Sequence, residues 1–220
     1  MALKTLYLDE LKGFARSKVI AALWIGLPLI SVAFRFFRPD AEGMSLLTLV
    51  AILLSSIGGT VAAVFLSTGI TNERGKNVYD LFLVRPVKRG ELPIAKFLAA
   101  FSCLFVAVLL SVLLGIVIEA VTGNLQSVSF MRENVESLLI TLTGIAVACS
   151  VGVFFGITMN SVAVSAILSA YLGNQITGAL IIPLALAKSL NVVLYCALVG
   201  TFVPALILTI SVLIFRRKNV

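Results

Sequence analysis

Residues 92–121 read LPIAKFLAAFSCLFVAVLLSVLLGIVIEAV, and between Lys96 and Glu119 no charged side chain interrupts them. A helix rises 1.5 Å per residue, so about 20 such residues cross a hydrocarbon core about 30 Å thick. Inside lipid the backbone has no water to bond, and a single segment satisfies its own N–H and C=O groups only as a helix. This stretch therefore reads as a transmembrane helix. The same reading extends to apolar runs at 18–37, 45–71, 135–158, 161–187 and 191–215. The expected fold is an all-α membrane protein of six transmembrane helices, one transmembrane domain over 1–220. Gly173 and Pro183 interrupt the fifth run, which either spans throughout or turns back as a short half-helix before Asn191.

The composition agrees. The chain is 60% hydrophobic and 12% charged, where soluble domains hold about 45–50% and about 25%. Its mean hydropathy of +1.12 makes lipid the solvent. A net charge of +7 would suggest nucleic acid in a soluble protein, but such a protein has no use for this hydrophobicity, and no nucleic-acid partner is expected.

The charge reads instead as topology. Lys4, Lys12, Arg16 and Lys18 precede the first span. Arg74, Lys76, Arg85, Lys88, Arg89 and Lys96 surround the loop between the second and third spans, and Arg216, Arg217 and Lys218 follow the sixth. The opposite side holds only Arg35, Arg38, Arg132 and Lys188. By the positive-inside rule the first group is cytoplasmic, which predicts a cell (inner) membrane protein with both termini inside and a cytoplasmic tail at 216–220. Ser31-Val32-Ala33 has the shape of a signal-peptidase site, but the preceding segment carries Asp9 and Glu10 and is too long for a signal n-region.

That segment, 1–17, is amphipathic. On a helical wheel Leu3, Leu6, Tyr7, Leu11 and Phe14 share one arc while Lys4, Asp9, Lys12 and Arg16 share the other, as in an interfacial helix lying among the headgroups. Glu10 falls on the apolar arc, where it is either an interfacial carboxylate reaching water or a contact to another subunit.

The loop at 72–91, NERGKNVYDLFLVRPVKRGE, is longer than a turn requires. Its apolar stretch from Val78 to Val84 implies a short helix. Pro86 holds Arg85 extended and ends that helix, and Pro93 suits the first turn of the next. A charged loop around an exposed apolar helix is either a docking element or a helix resting on the headgroups.

The loop also carries a resemblance. Glu-Arg-Gly from Glu73, a short helix, Arg-Pro-Val-Lys-Arg-Gly-Glu from Arg85 and a lysine entering the third span resemble the cytoplasmic loop of ATP-binding-cassette type-2 permeases. The Glu10-Leu11-Lys12 start, the six spans and the Phe-Arg-Arg-Lys tail are similar to that family too. The chain departs from the pattern in the Arg-Gly register relative to the proline, in Lys76 and in Ala95. The resemblance implies a half-transporter: a second permease copy or paralogue beside it, two cytoplasmic ATPase subunits beneath, and ATP and magnesium bound in those partners. It implies that the loop is a cytoplasmic coupling helix, with Glu73, Arg74, Gly75, Arg85, Pro86, Val87, Arg89 and Glu91 at the ATPase contact. The expected activity is export.

No catalytic or cofactor chemistry is expected in the chain itself. From Gly69 to Asn77 the spacing is one residue too long for a phosphate loop, and Asn77 stands where Ser or Thr is required. There is no histidine, Asp9, Asp40 and Asp80 lie outside the spans, and Cys103, Cys149 and Cys196 are far apart in apolar runs without metal-ligand spacing. Glu119, near the outer end of its span, reads as an interfacial anchor rather than a proton relay. At mid-depth Ser55, Ser56, Asn174, Gln175 and Thr177 are candidate pathway residues. The SSIGGT stretch (55–60) equally suits close helix packing, and Asn174-Gln175 equally suits an interhelical hydrogen bond. So apolar a pathway suits an amphiphilic or lipid-like cargo. The competing functions are a secondary carrier driven by an ion gradient and a membrane scaffold that recruits a cytoplasmic partner without transport.

Overall fold

The computed structural model of the chain describes residues 2–37, 46–76, 90–121, 127–186 and 191–217. Among them are seven helices and no strand: α1 (Ala2–Ala15), α2 (Lys18–Phe37), α3 (Leu46–Gly75), α4 (Glu91–Val121), α5 (Ser127–Thr158), α6 (Val162–Leu186) and α7 (Val192–Arg217). The five from α3 to α7 are long and apolar enough to cross a bilayer. α1 and α2 form a pair bent by 68°. Ser17 makes that bend. Its N–H donates to the Phe14 carbonyl at 2.9 Å, closing α1, and its hydroxyl accepts the Val19 N–H at 3.3 Å, the N-cap of α2.

α6 runs unbroken past Gly173 and Pro183, so the half-helix alternative for the fifth run is not realised through Leu186. Pro28 and Pro204 likewise sit inside α2 and α7. Neighbouring helices re-satisfy the backbone groups that such prolines free in a bundle.

The most extensive helix pair is α3 with α5, and small residues explain it. Ser55, Gly59, Ala63 and Ser67 recur every fourth position on α3, and Gly144, Ala148, Gly152 and Gly156 do so on α5. The two rows mesh in constant register, both advancing in the same direction. A Cβ added at Gly152 would stand 2.6 Å from the Ala63 carbonyl oxygen, and one at Gly59 2.9 Å from the Ala148 methyl. Lipid tails are as apolar as leucine, so close van der Waals packing of this kind, not burial from water, holds such helices together. α3 and α5 are parallel, as two crossings separated by one return helix must be.

α5 is the most enclosed span and α7 the least. The Thr143 hydroxyl of α5 donates to the Cys196 carbonyl of α7 at 3.2 Å, and Ser67 of α3 shares a 2.8 Å hydrogen bond with Ser169 of α6. On the other flank the Trp24 indole of α2 donates to the Cys103 carbonyl of α4 at 2.9 Å. α1 packs along α4, with the Tyr7 hydroxyl donating to Ser102 at 3.0 Å. The three cysteines are free and buried.

Candidate functional site

Most of the described charged residues gather at one end of the bundle, and Arg132, Glu133 and Glu136 stand at the other. Lys96, in the second turn of α4, is only 3% exposed, and its ammonium lies 2.8 Å from a carboxylate oxygen of Glu10 and 2.8 Å from one of Glu73. A cation so shielded is tolerable only when paired, and here two acids share it. Glu10 belongs to the last turns of α1 and Glu73 to the last turn of α3, so one lysine pins three elements at a point. Glu10, expected to reach water or to contact another subunit, pairs with a cation of its own chain while keeping part of its carboxylate open to water. It sits on the apolar arc of α1 because that arc faces α4, where a cation of the same chain is waiting.

The next residue reaches the opposite way. The Arg74 guanidinium donates to the Ile157 carbonyl and to the Asn160 side-chain oxygen, at the end of α5. Its fixed fork of donors spans the Ile157 carbonyl and the Asn160 side chain at once, at a helix end where the dipole favours a cation. Beyond the loop, Gly90 is buried against the end of α7, so closely that a Cβ there would meet Val212 and Arg216 at 3.0 Å. Glu91 keeps one carboxylate oxygen shielded and without a partner among the described residues. The ends of α1, α3, α4, α5 and α7 thus meet around the entry and exit of segment 77–89.

Of the residues expected at the ATPase contact, Glu73, Arg74, Gly75 and Glu91 stand at this end. Arg85, Pro86, Val87, Arg89 and the expected helix from Val78 to Val84 lie outside the described residues, as does the side chain of Glu119. At Gly75 an added Cβ would meet nothing within 4 Å.

The mid-depth candidates divide. Ser55 is buried against Gly144 in the α3–α5 seam, and its hydroxyl has no partner among the described residues. Thr177 is buried and donates to the Gly144 carbonyl at 3.5 Å. Both therefore lie within the seams between helices. Ser56 donates to the Asn174 side-chain oxygen at 2.8 Å, and Asn174 and Gln175 are exposed on α6. Asn174 thus makes an interhelical bond and still presents polar atoms at the middle of a span.

Two features escaped the sequence reading. Lys96 counted as a topological charge and as the lysine entering the third span, and its pairing with Glu10 is set by packing that the sequence alone does not display. The glycine row of α5 carried a visible signal, a small residue at every fourth position.

Among the described residues no three Cys, Asp or Glu side chains converge as a metal site would require. The fold is that of a multi-pass membrane protein with most of its described ionised groups at one end. More narrowly, the chain belongs to the ABC-2 family of transporter proteins, whose sequence model matches residues 10–174, from Glu10 to Asn174. Comparison with curated proteins finds no match.

Proposed function

We propose that the chain is the membrane-spanning permease subunit of an ATP-driven exporter, paired with a second permease copy or paralogue above two cytoplasmic ABC ATPase subunits. In this reading α2, 20 residues long, is the sixth span, the end carrying Lys96 is cytoplasmic, and α1 lies in the inner headgroup layer. The observation that carries the proposal is the Glu10–Lys96–Glu73 cluster. It fastens the interfacial helix to both flanks of segment 77–89, while Arg74 fastens the same flank to the central helix α5. A push on the loop from a closing ATPase dimer would therefore reach α1, α3, α4 and α5 together, the rigid-body type of transition that moves packed helices as units.

Ser56, Asn174 and Gln175 support a polar face at mid-depth. Amides left against acyl chains are costly, so the mid-depth stretch of α3 and α6 around Ser56 and Asn174 is turned toward water or a second subunit. The test is co-purification of the chain with an ABC ATPase encoded beside it. The complex should form, and Arg85→Glu with Arg89→Glu should abolish it. Binding that is absent, or that is indifferent to both reversals, rejects the coupling role.

A further inference from the structure

Two apolar grooves open side by side on the face made by α2, α3 and α6. One, of about 440 Å³, runs along α2 from Lys18 through Gly26 to Ile30, with Ile57 and Val61 of α3 as its other wall. The second, of about 430 Å³, lies between α3 and α6 from Thr68 to Thr60, and the two share Val19 and Val61. Thr60 and Thr68 turn their hydroxyls onto their own helix, bonding the carbonyls of Ser56 and Val64 at 2.8 and 2.7 Å, so the second groove is lined by methyl groups.

Both grooves start at the level of the α1–α2 bend and end at mid-depth. From Lys18 to Ile30 the helix rises about 18 Å, against about 15 Å for one leaflet's half of the hydrocarbon core. An exposed ammonium, Lys18, heads the first groove next to Val19, which lines both, and exposed Arg16 is two residues away. Two apolar grooves, about 18 Å long and, from Thr68 to Thr60, about 12 Å long, that join beside one cation match a single class of ligand.

We propose that this face binds one anionic diacyl phospholipid of the leaflet that holds α1. Its two acyl chains lie in the paired grooves and its phosphate pairs with Lys18. The inference rests on α2 lying across the membrane, as proposed above, and is independent of the ATPase. Gly26 makes the first groove accessible, since a Cβ there would meet no atom within 4 Å. A larger side chain at that position fills the groove without displacing protein.

The test is native mass spectrometry of the purified full chain titrated with phosphatidylglycerol or phosphatidylcholine of identical chains. One lipid per chain is expected to be retained, with phosphatidylglycerol favoured about fivefold, the preference one lysine near the headgroups supplies. Lys18→Gln should bring the two lipids to parity. Gly26→Leu should weaken both, with an unchanged thermal midpoint showing that the fold is intact, and Lys4→Gln, at the far end of α1, should change neither. Equal retention of the two lipids by the unaltered chain overturns the proposal. So does wild-type binding by both Lys18→Gln and Gly26→Leu, or a dimer that retains no lipid because a second copy fills the grooves. Labelling of Arg38→Cys from the side opposite α1 reports separately whether α2 crosses, so the two failures are distinguishable.

Discussion

The ammonium of Lys96 lies 2.8 Å from the carboxylate of Glu10, and this contact fixes α1 against α4. Glu73 approaches the same ammonium from the end of α3. The cluster is unequal, because the lysine is almost wholly buried while its partners remain partly open to water. Removing an acid therefore leaves a buried cation with one partner, whereas removing both leaves it with none.

Glu10→Gln and Glu73→Gln should each destabilise the chain by about 1 kcal/mol, with Glu73→Gln the milder because its carboxylate is better solvated. The double variant should cost about 3 kcal/mol or more, beyond the sum of the singles, since an unpaired buried charge carries the full desolvation penalty. Chemical unfolding in detergent micelles reads this directly. Strict additivity would mean that the lysine escapes to water once released.

Arg74 should hold the end of α5 closed. Arg74→Ala should raise amide hydrogen exchange over residues 155–160 and cost about 1–3 kcal/mol, the range for stranding an acceptor near a buried helix end. Arg74→Lys, with a single ammonium in place of the fork, should fall between the two. Exchange that rises instead along α4 would show that Arg74 works through its neighbour Glu73.

Five of the six expected spans were legible because each depends on local composition alone: nothing but lipid suits LLSVLLGIVI, and α3 to α7 answer to the second to sixth apolar runs, while the first run forms α2 from the same Lys18. The site was only half legible. Glu73 and Arg74 were marked out by the loop they open, yet their partners are set by packing, and no local pattern says that α1 would lie against α4. Ser55 and Asn174 show the same limit. Both are small polar residues at mid-depth, and only the register of α3 on α5 and α6 buries the first and exposes the second.

Gly152→Ala should be among the most damaging small substitutions in the chain. The new methyl meets the Ala63 carbonyl at 2.6 Å, which is backbone and yields only if α3 and α5 move apart, an overpacking cost of about 1–3 kcal/mol. Gly178→Ala, with nothing within 4 Å of the added carbon, should be neutral or slightly stabilising, because alanine favours the helix. Thermal midpoints of the two variants in the same detergent decide it, and equal midpoints would remove the case for the α3–α5 seam.

Asn174 and Tyr195 separate passage from packing. The Tyr195 hydroxyl donates to the Leu180 carbonyl at 2.9 Å, tying α7 to α6, so Tyr195→Phe should cost about 1 kcal/mol of stability and leave transport per folded molecule unchanged. Asn174→Leu removes the 2.8 Å bond to Ser56, but it also replaces an exposed amide with a side chain that lipid would welcome. If the face of α3 and α6 were simply lipid-facing, the leucine would be stabilising and silent. If the face lines the route of the cargo, transport in proteoliposomes containing the ATPase partner should fall severalfold while the folded fraction is maintained. Ser56→Ala, which leaves the amide in place but frees it from its tether, should give a smaller loss. A stable Asn174→Leu variant with full transport would move the route to another face of the bundle.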